Sequence, residues 1–346
     1  MSSKSRRPSR QRLTAIAAAL SLAAAIVIDL APSPASAAAP MVGTQAPGFH
    51  RMILGAFEIT VLSDGTHPFP VHKVLTKVVG DKGAIPLDQA SPGEADALLA
   101  ESKLAVPVAG SINAFLINTG SKLILIDSGA GSLYGDCCGH LIDNLKSAGY
   151  EPDQVDEIYL THLHADHVGG IAPNGAMAFR NAIIRVSQVD ADYWLNDKNE
   201  QAAPKLLNSM FEGDKASLKP YIDAGRFKPF AYGQQLFPGI TPIASPGHTP
   251  GHSFFMVESR GQQMLMWGDV VHVAAVQFPN PSVTLAYDSD AEMAENEREA
   301  IFSDAARKGY WIGAAHISFP GVGHVSASQG QFYWIPANYE ASPGKN

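Results

Sequence analysis

Short apolar runs separated by turn signals recur along this chain, and they fall into two groups. In the first group, residues 52–54 and 57–62 predict the two strands of a hairpin, and residues 112–118 and 122–127 predict two more, joined by the Thr119-Gly120-Ser121 turn. The Leu123-Ile124-Leu125-Ile126 run has no polar alternation, so it is expected to be buried on both faces. Residues 156–160 and 182–186 add two short strands. In the second group, residues 240–244, 254–258, 264–267, 310–314 and 331–335 predict strands. Residues 73–79 show no decisive pattern.

Helices fall between these runs. Ser91-Pro92-Gly93-Glu94 reads as a helix start, with Ser91 as cap, Pro92 in the first turn and Glu94 completing a capping box. Residues 140–148 predict a helix stopped by Gly149, and residues 189–194 begin a helical region. Residues 196–235 read as helices and loops over the site, and residues 289–308 as a long helix capped by Asp288 or Ser289. Strands followed by helices, twice over, give a mixed α/β chain.

Between the two groups lies Thr161-His162-Leu163-His164-Ala165-Asp166-His167. Imidazole and carboxylate are ligands that suit zinc and its neighbours. One ion can hardly accept four side chains from so short a loop, so the spacing points to two metals. His162 and His164, two apart, can reach one ion, and Asp166 and His167 can turn towards a second. Further ligand types stand where predicted strands give way to loops: His248 in Ser245-Pro246-Gly247-His248, Asp269, and His316. Asp127, at the end of its strand, is expected to accept a hydrogen bond from a ligand histidine. His50, His67, His72, His140, His252 and His324 read as structural or surface residues, while His272, three past Asp269, is placed to line a pocket.

The central run matches the His-x-His-x-Asp-His motif of the metallo-β-lactamase superfamily. Asp127-Ser128-Gly129, Gly247-His248-Thr249-Pro250-Gly251-His252, Gly268-Asp269 and His316 fall in that superfamily's order. Within it, the chain most resembles methyl parathion hydrolase and its lactonase and arylesterase relatives. The matching pieces are Pro47-Gly48-Phe49, Phe57-Glu58-Ile59-Thr60, Leu62-Ser63-Asp64-Gly65-Thr66, Ala274-Ala275-Val276-Gln277-Phe278 and Ser318-Phe319-Pro320-Gly321. The resemblance implies a single-domain, four-layer αββα sandwich with its metals at one edge between two sheets. It implies that His162, His164 and His248 hold one metal, that Asp166, His167 and His316 hold the other, and that Asp269 bridges them, with Asp166 and Asp269 carrying the catalytic role. Two such ions can share a water and lower its pKa towards neutrality. The resemblance also places Tyr134, Trp194 and Phe211 in an aromatic leaving-group pocket, with Val74, His272, Leu285 and Tyr287 near its other wall. The methyl parathion hydrolase pattern has Arg, Leu, Thr and Leu at those last four positions, which weakens the expectation of phosphotriester hydrolysis.

Composition sets further bounds. With 346 residues, 46% of them hydrophobic and 17% charged, the chain is long and apolar enough for one large domain. Lys4, Arg6, Arg7, Arg10 and Arg12 precede an apolar stretch over residues 13–28, and Ala35-Ser36-Ala37 follows as a cleavage site, so residues 1–37 read as a secretory signal peptide. Ser5-Arg6-Arg7 matches part of a twin-arginine signal. The organisation expected is a signal over 1–37, an arm over 38–50 and a hydrolase domain over 51–346. Removing the signal takes five basic residues and one acidic one from 25 basic and 33 acidic, leaving a formal charge of −12. That sign disfavours nucleic acid, whose phosphates need basic neutralisation. Cys137 and Cys138 are adjacent, with Cα atoms about 3.8 Å apart, closer than ordinary disulfide geometry allows, so no structural bridge is expected.

The reading that results is a periplasmic or secreted hydrolase with two divalent ions, zinc first among them. Its substrates are small lactones, aryl esters or organophosphate triesters. No nucleic-acid partner and no stable membrane insertion are expected, and a homodimer is left open. A β-lactamase-like amidase and a non-catalytic metal- or ligand-binding protein are the alternatives.

Overall fold

The computed structural model describes residues 39–343, so the signal-peptide reading of 1–37 lies outside the described residues. The chain divides into Met1–Gln45 and Ala46–Asn346. In the first unit, residues 39–45 are exposed and form no helix or strand. The second unit carries every element that follows.

Two six-stranded sheets dominate it. The first has the order Phe49–Leu54, Phe57–Phe69, Val108–Asn118, Leu123–Ile126, Glu157–Tyr159, Ile183–Arg185. The second has the order Gln331–Pro336, Val322–Ser328, Trp311–Gly313, Gln262–Met266, Ser253–Ser259, Ile240–Ala244. The first strand starts at Phe49, inside the stretch expected to be an arm, because Phe49 continues the antiparallel register opposite Leu62.

Side-chain alternation explains the layers. In Leu123–Ile126, Leu123 and Leu125 face a core that includes Leu141, Leu145, Trp194, Phe211 and Leu218 from helices on the outer face. Ile124 and Ile126 face the opposite way, into a core shared with Phe255, Val257, Met264 and Met266 of the second sheet. All four residues are therefore buried, as their unbroken apolar run requires. On the far side, Phe254, Leu265 and Ile312 pack against Phe302 and Ala305 of the helix Ala291–Lys308. Helix, sheet, sheet, helix is the αββα order expected.

Several local expectations fail. Ser91 does not cap the helix Glu94–Glu101. It instead closes the preceding short helix Leu87–Ala90 through its own N–H, and Gly93, at φ 78°, separates it from the next helix. The long helix is capped by Asp290, whose side chain accepts from the Met293 N–H, and not by Asp288 or Ser289. The strand Val322–Ser328 was not anticipated, because its Gly, Ser, Ala and His residues carry little β propensity. Its Gly323 is required: a Cβ there would sit 2.3 Å from the Ile335 carbonyl oxygen. Residues 73–79 split into the short helix Val71–Val74 and the strand Leu75–Val78, which joins Ala84–Pro86 and Val283–Leu285 in a small third sheet.

Candidate metal centre

The ligand-bearing loops leave both sheets at one edge. Leu123–Ile126, Glu157–Tyr159 and Ile183–Arg185 run parallel, as do Gln262–Met266 and Trp311–Gly313. Asp127, His162, Asp269 and His316 follow the ends of these strands, where functional loops of parallel sheets gather. Hydrogen bonds tie the two edges together. Ser253 N–H donates to the Thr161 carbonyl at 2.8 Å, Asn113 N–H to Ala315 at 2.9 Å, and the Asn113 amide to Ile317 at 2.7 Å. His162 and His164 lie on the loop, while Asp166 and His167 sit on the one-turn helix Ala165–Val168.

His162, His164, His248 and Asp269 bring one donor atom each within 4.8 Å of one another, and Asp166, His167 and His316 form a second such group. Asp269 spans the two. Its Oδ2 lies 3.1 Å from His248 Nε2 and 3.7 Å from His162 Nε2, while its Oδ1 lies 3.0 Å from His167 Nε2 and 3.2 Å from His316 Nε2. Asp166 Oδ2 is 3.5 Å from His316 Nε2. All seven are buried. The Nε2 atoms of His162 and His167 have no hydrogen-bond partner. Buried lone pairs that converge without a donor between them are costly unless a cation fills the gap, so the donor set fits a pair of divalent ions.

The opposite ring nitrogens are fixed from behind. His167 Nδ1 meets Asp127 Oδ2 at 2.9 Å, His248 Nδ1 meets Asp288 Oδ1 at 2.7 Å, and His316 Nδ1 meets the Ser111 carbonyl at 2.8 Å. Thr161 Oγ1 stands between His162 Nδ1, at 3.0 Å, and Asp127 Oδ2, at 2.9 Å. Each partner holds one tautomer and aims Nε2 at the centre. His164 is turned the other way: its Nδ1 faces His248 Nε2 at 3.1 Å.

Charge divides the histidines. Burial, then the neighbouring His167 and His248 respectively, keeps His162 and His164 well below the ordinary histidine range, so both are neutral and able to ligate. Burial also opposes charge on His248, but Asp269 and Asp288 outweigh it and push the group up to about 9. His167 is likewise raised, against burial, by Asp269, Asp127 and Asp166. These directions belong to the metal-free cluster; bound cations would displace the protons.

Four supporting residues were not anticipated. His252, read as structural or surface, accepts the Asp269 N–H on Nε2 at 3.1 Å, and its Nδ1 lies 3.2 Å from the Ser245 carbonyl. Asp288, read as a helix cap, orients His248. Asp190 accepts the N–H groups of Leu163 and Gly251 at 2.8 and 2.7 Å. Asp64 accepts those of Ala130, Gly139 and Leu141. The last two act through backbone groups far away in sequence, which carry no residue signature.

A cavity of about 370 Å³ opens onto His164, Asp166 and Asp269, with His67, Phe69, Val74, Tyr134, His272 and Tyr287 among its walls. Tyr134 donates to Asp166 Oδ1 at 3.3 Å. His272 meets Asp269 Oδ2 at 3.0 Å and stacks on His316 at 4.6 Å. Trp194 and Phe211 depart from expectation. Both are fully buried, with ring centroids 4.5 Å apart, and Trp194 stands edge-on to His164 at 5.1 Å. They form the floor beneath His164 and line no part of this cavity. Leu285 is also core, packed with Leu75 and Val276.

A family model for the metallo-beta-lactamase superfamily matches residues 107–308. The chain belongs to that superfamily. A solved structure described as hydrolase AbOPH in the beta lactamase superfamily is 37% identical, with TM-score 0.77, over 86% of this chain and 100% of that one. AidC, a dizinc quorum-quenching lactonase solved with its product N-hexanoyl-L-homoserine, is 25% identical, with TM-score 0.72, over 85% of this chain and 98% of its own. Among curated proteins, an N-acyl homoserine lactonase from Bacillus sp. is 25% identical over 159 residues, 46% of this chain and 55% of the lactonase. The chain thus spans about half the length of the curated relatives it matches.

Proposed function

We propose that this member of the superfamily is a binuclear metal hydrolase that opens lactones and aryl esters. The observation that carries the reading is Asp269, whose carboxylate lies between two buried groups of ligand-type side chains at the foot of a largely apolar cavity. His162, His164 and His248 would hold one ion, Asp166, His167 and His316 the other, and Asp269 both; zinc suits this donor set. A bound pair would supply an activated water and a Lewis acid for the substrate oxygen. The chain's own contribution is positioning. Tyr134 presents a phenol at the cavity wall, and its O–H, donated to Asp166 here, can turn to hydrogen-bond a substrate oxygen. Phe69 and Tyr287 offer aromatic faces to an acyl or aryl group. The AidC likeness supports a lactone among the substrates, and the sequence's resemblance to the arylesterase relatives of methyl parathion hydrolase supports an aryl ester.

The basic segment, apolar stretch and Ala-x-Ala site of residues 1–37 support export to the periplasm or beyond. No described helix is long and apolar enough to cross a membrane.

The test is elemental analysis of protein purified without chelator, followed by a panel of a lactone, an aryl acetate, an aryl phosphotriester and a chromogenic β-lactam. The reading expects about two ions per chain and turnover of the first two substrates. One ion or fewer after reloading, or turnover of the β-lactam alone, would defeat it.

A further inference from the structure

The proposed chemistry leaves Cys137 and Cys138 without a role. Their Sγ atoms face each other at 2.8 Å, and the Cys137 thiol also reaches the Tyr134 carbonyl at 3.4 Å. Cys138 clusters with Ile112 and Ala130, and Tyr134 and Cys137 pack against that cluster. The loop that holds them is pinned at both ends by Asp64, through the N–H groups of Ala130, Gly139 and Leu141. Between the pins the chain makes successive tight turns, the last of them Gly135–Cys137. Gly65 lies directly under it: a Cβ there would meet the Cys137 carbonyl oxygen at 2.2 Å and Cys138 Cα at 2.8 Å. The sulfurs are therefore held together by the fold. Cys138 borders a cavity of about 510 Å³ that is separate from the substrate cavity, with Asp64, Ser132 and His140 also on its wall. Cys137 is the more exposed of the two.

We infer that Cys137 and Cys138 form a reversible dithiol–disulfide site that acts on the substrate cavity through Tyr134. The inferred bridge is transient and is not a structural staple. A ring closed between neighbours is strained, and strained disulfides are readily reduced and are the regulatory ones. The co-reactant is a low-molecular-weight disulfide such as oxidised glutathione. The Cys137 thiolate attacks one of its sulfurs, forming a mixed disulfide and releasing one thiol. Cys138 then gives up its proton and attacks Cys137 Sγ, expelling the second thiol. Two protein thiols become one disulfide, and one external disulfide becomes two thiols. Burial keeps Cys138 protonated above the ordinary thiol range, so the first attack falls to the more exposed Cys137. Closure removes the S–H that donates to the Tyr134 carbonyl, on the residue whose hydroxyl reaches Asp166.

The full, metal-loaded chain is treated with oxidised glutathione or dithiothreitol. Thiols are counted after denaturation, the intact mass is measured, and kcat and KM are read on an aryl acetate. Oxidation is expected to remove both thiols, with a loss of two hydrogens, no glutathione adduct and no dimer. It is expected to shift KM by about two- to tenfold, the worth of one hydrogen bond, with a smaller change in kcat and recovery in dithiothreitol. Cys137→Ser should make KM indifferent to the oxidant. Persistent thiols, a stable adduct, a cross-linked dimer, an unchanged KM in the closed protein or an oxidant-sensitive Cys137→Ser protein would each overturn the inference. The kinetic arm rests on the ester-hydrolase reading. The thiol count and mass do not, so failure of one is told from failure of the other.

Discussion

The Asp190 carboxylate accepts the backbone N–H of Leu163 at 2.8 Å, and Leu163 is the residue between His162 and His164. The same carboxylate accepts the Gly251 N–H at 2.7 Å. One buried side chain thus ties the ligand loop of the first sheet to the loop that carries His248. Burial pushes Asp190 up to about 6 from 3.8, even against these two hydrogen bonds. The folded state then binds a proton that the unfolded state has released, so Asp190 makes stability fall as pH rises through that window. About two units correspond to about 3 kcal/mol. In Asp190→Asn this dependence is absent. The unfolding free energy of wild type minus that of the variant should drop by about that amount between pH 3 and pH 7. Parallel pH profiles from denaturant titrations would refute the assignment.

Asp127 orients the other side of the site. Its Oδ2 meets His167 Nδ1 at 2.9 Å and its Oδ1 accepts the Thr161 N–H at 2.8 Å. Its backbone sits at φ 59°, which asparagine tolerates well. Asp127→Asn keeps the shape but turns an amide donor towards one of two donors. Metal affinity at the cluster of Asp166, His167 and His316 should fall about 10- to 100-fold, with the other ion held more firmly. Competition with a chromogenic chelator reads the two steps, and two unaltered affinities would remove Asp127 from this role.

Trp194 and Phe211 separate two accounts of the pocket. If Phe211 touched a leaving group, truncation would act mainly on KM. Its full burial beneath Trp194 predicts a stability effect instead. Phe211→Ala should cost about 3–5 kcal/mol in unfolding, while the folded, metal-loaded variant keeps KM within about threefold, since no cavity wall is removed. Urea melts and steady-state kinetics decide between them. A large KM change with small destabilisation would restore Phe211 to the pocket.

The layers and the cluster of ligand-type side chains were legible in the sequence for separate reasons. Buried strands such as Leu123–Ile126 must be apolar throughout, and ligands must be His or Asp, so both leave a compositional trace. Asp64 and Asp190 left none, because they hold backbone N–H groups, which every residue but proline has. His252 was passed over because one imidazole in a core looks like another until its Nε2 is seen against the Asp269 N–H. Trp194 was misplaced because side-chain type says that an aromatic is buried, and not whether substrate or a ligand histidine lies against it.

Substrate choice is the last consequence of the geometry. A paired-ion centre can serve attack on carbonyl carbon or on phosphorus, so the cavity wall must discriminate, through differential binding on the way to the transition state. Tyr287 stands across that wall, with ring centroids 5.8 Å from His272 and 6.3 Å from His164, and narrows the room for the substituents of a tetrahedral phosphotriester. His272 spends Nε2 on Asp269 and keeps a buried Nδ1 with no partner. Burial first, with His316 and His248 adding to it against the Asp269 charge, holds the ring neutral, down to about 4. With its Nε2–H given to Asp269, the neutral ring keeps Nδ1 as an acceptor and brings neither donor nor charge to an ester oxygen, so it acts on the wall through its shape and polarity. Differences of this kind are worth about 1–3 kcal/mol, or roughly ten- to two-hundred-fold in selectivity. Wild type should favour an aryl acetate over the matched aryl dialkyl phosphate in kcat/KM, and His272→Leu and Tyr287→Leu should each move that ratio towards the phosphate. Both variants must first be shown to retain two ions, because His272 touches Asp269. A wild type that already prefers the phosphotriester, or two metal-replete variants with the wild-type ratio, would show that the wall does not choose.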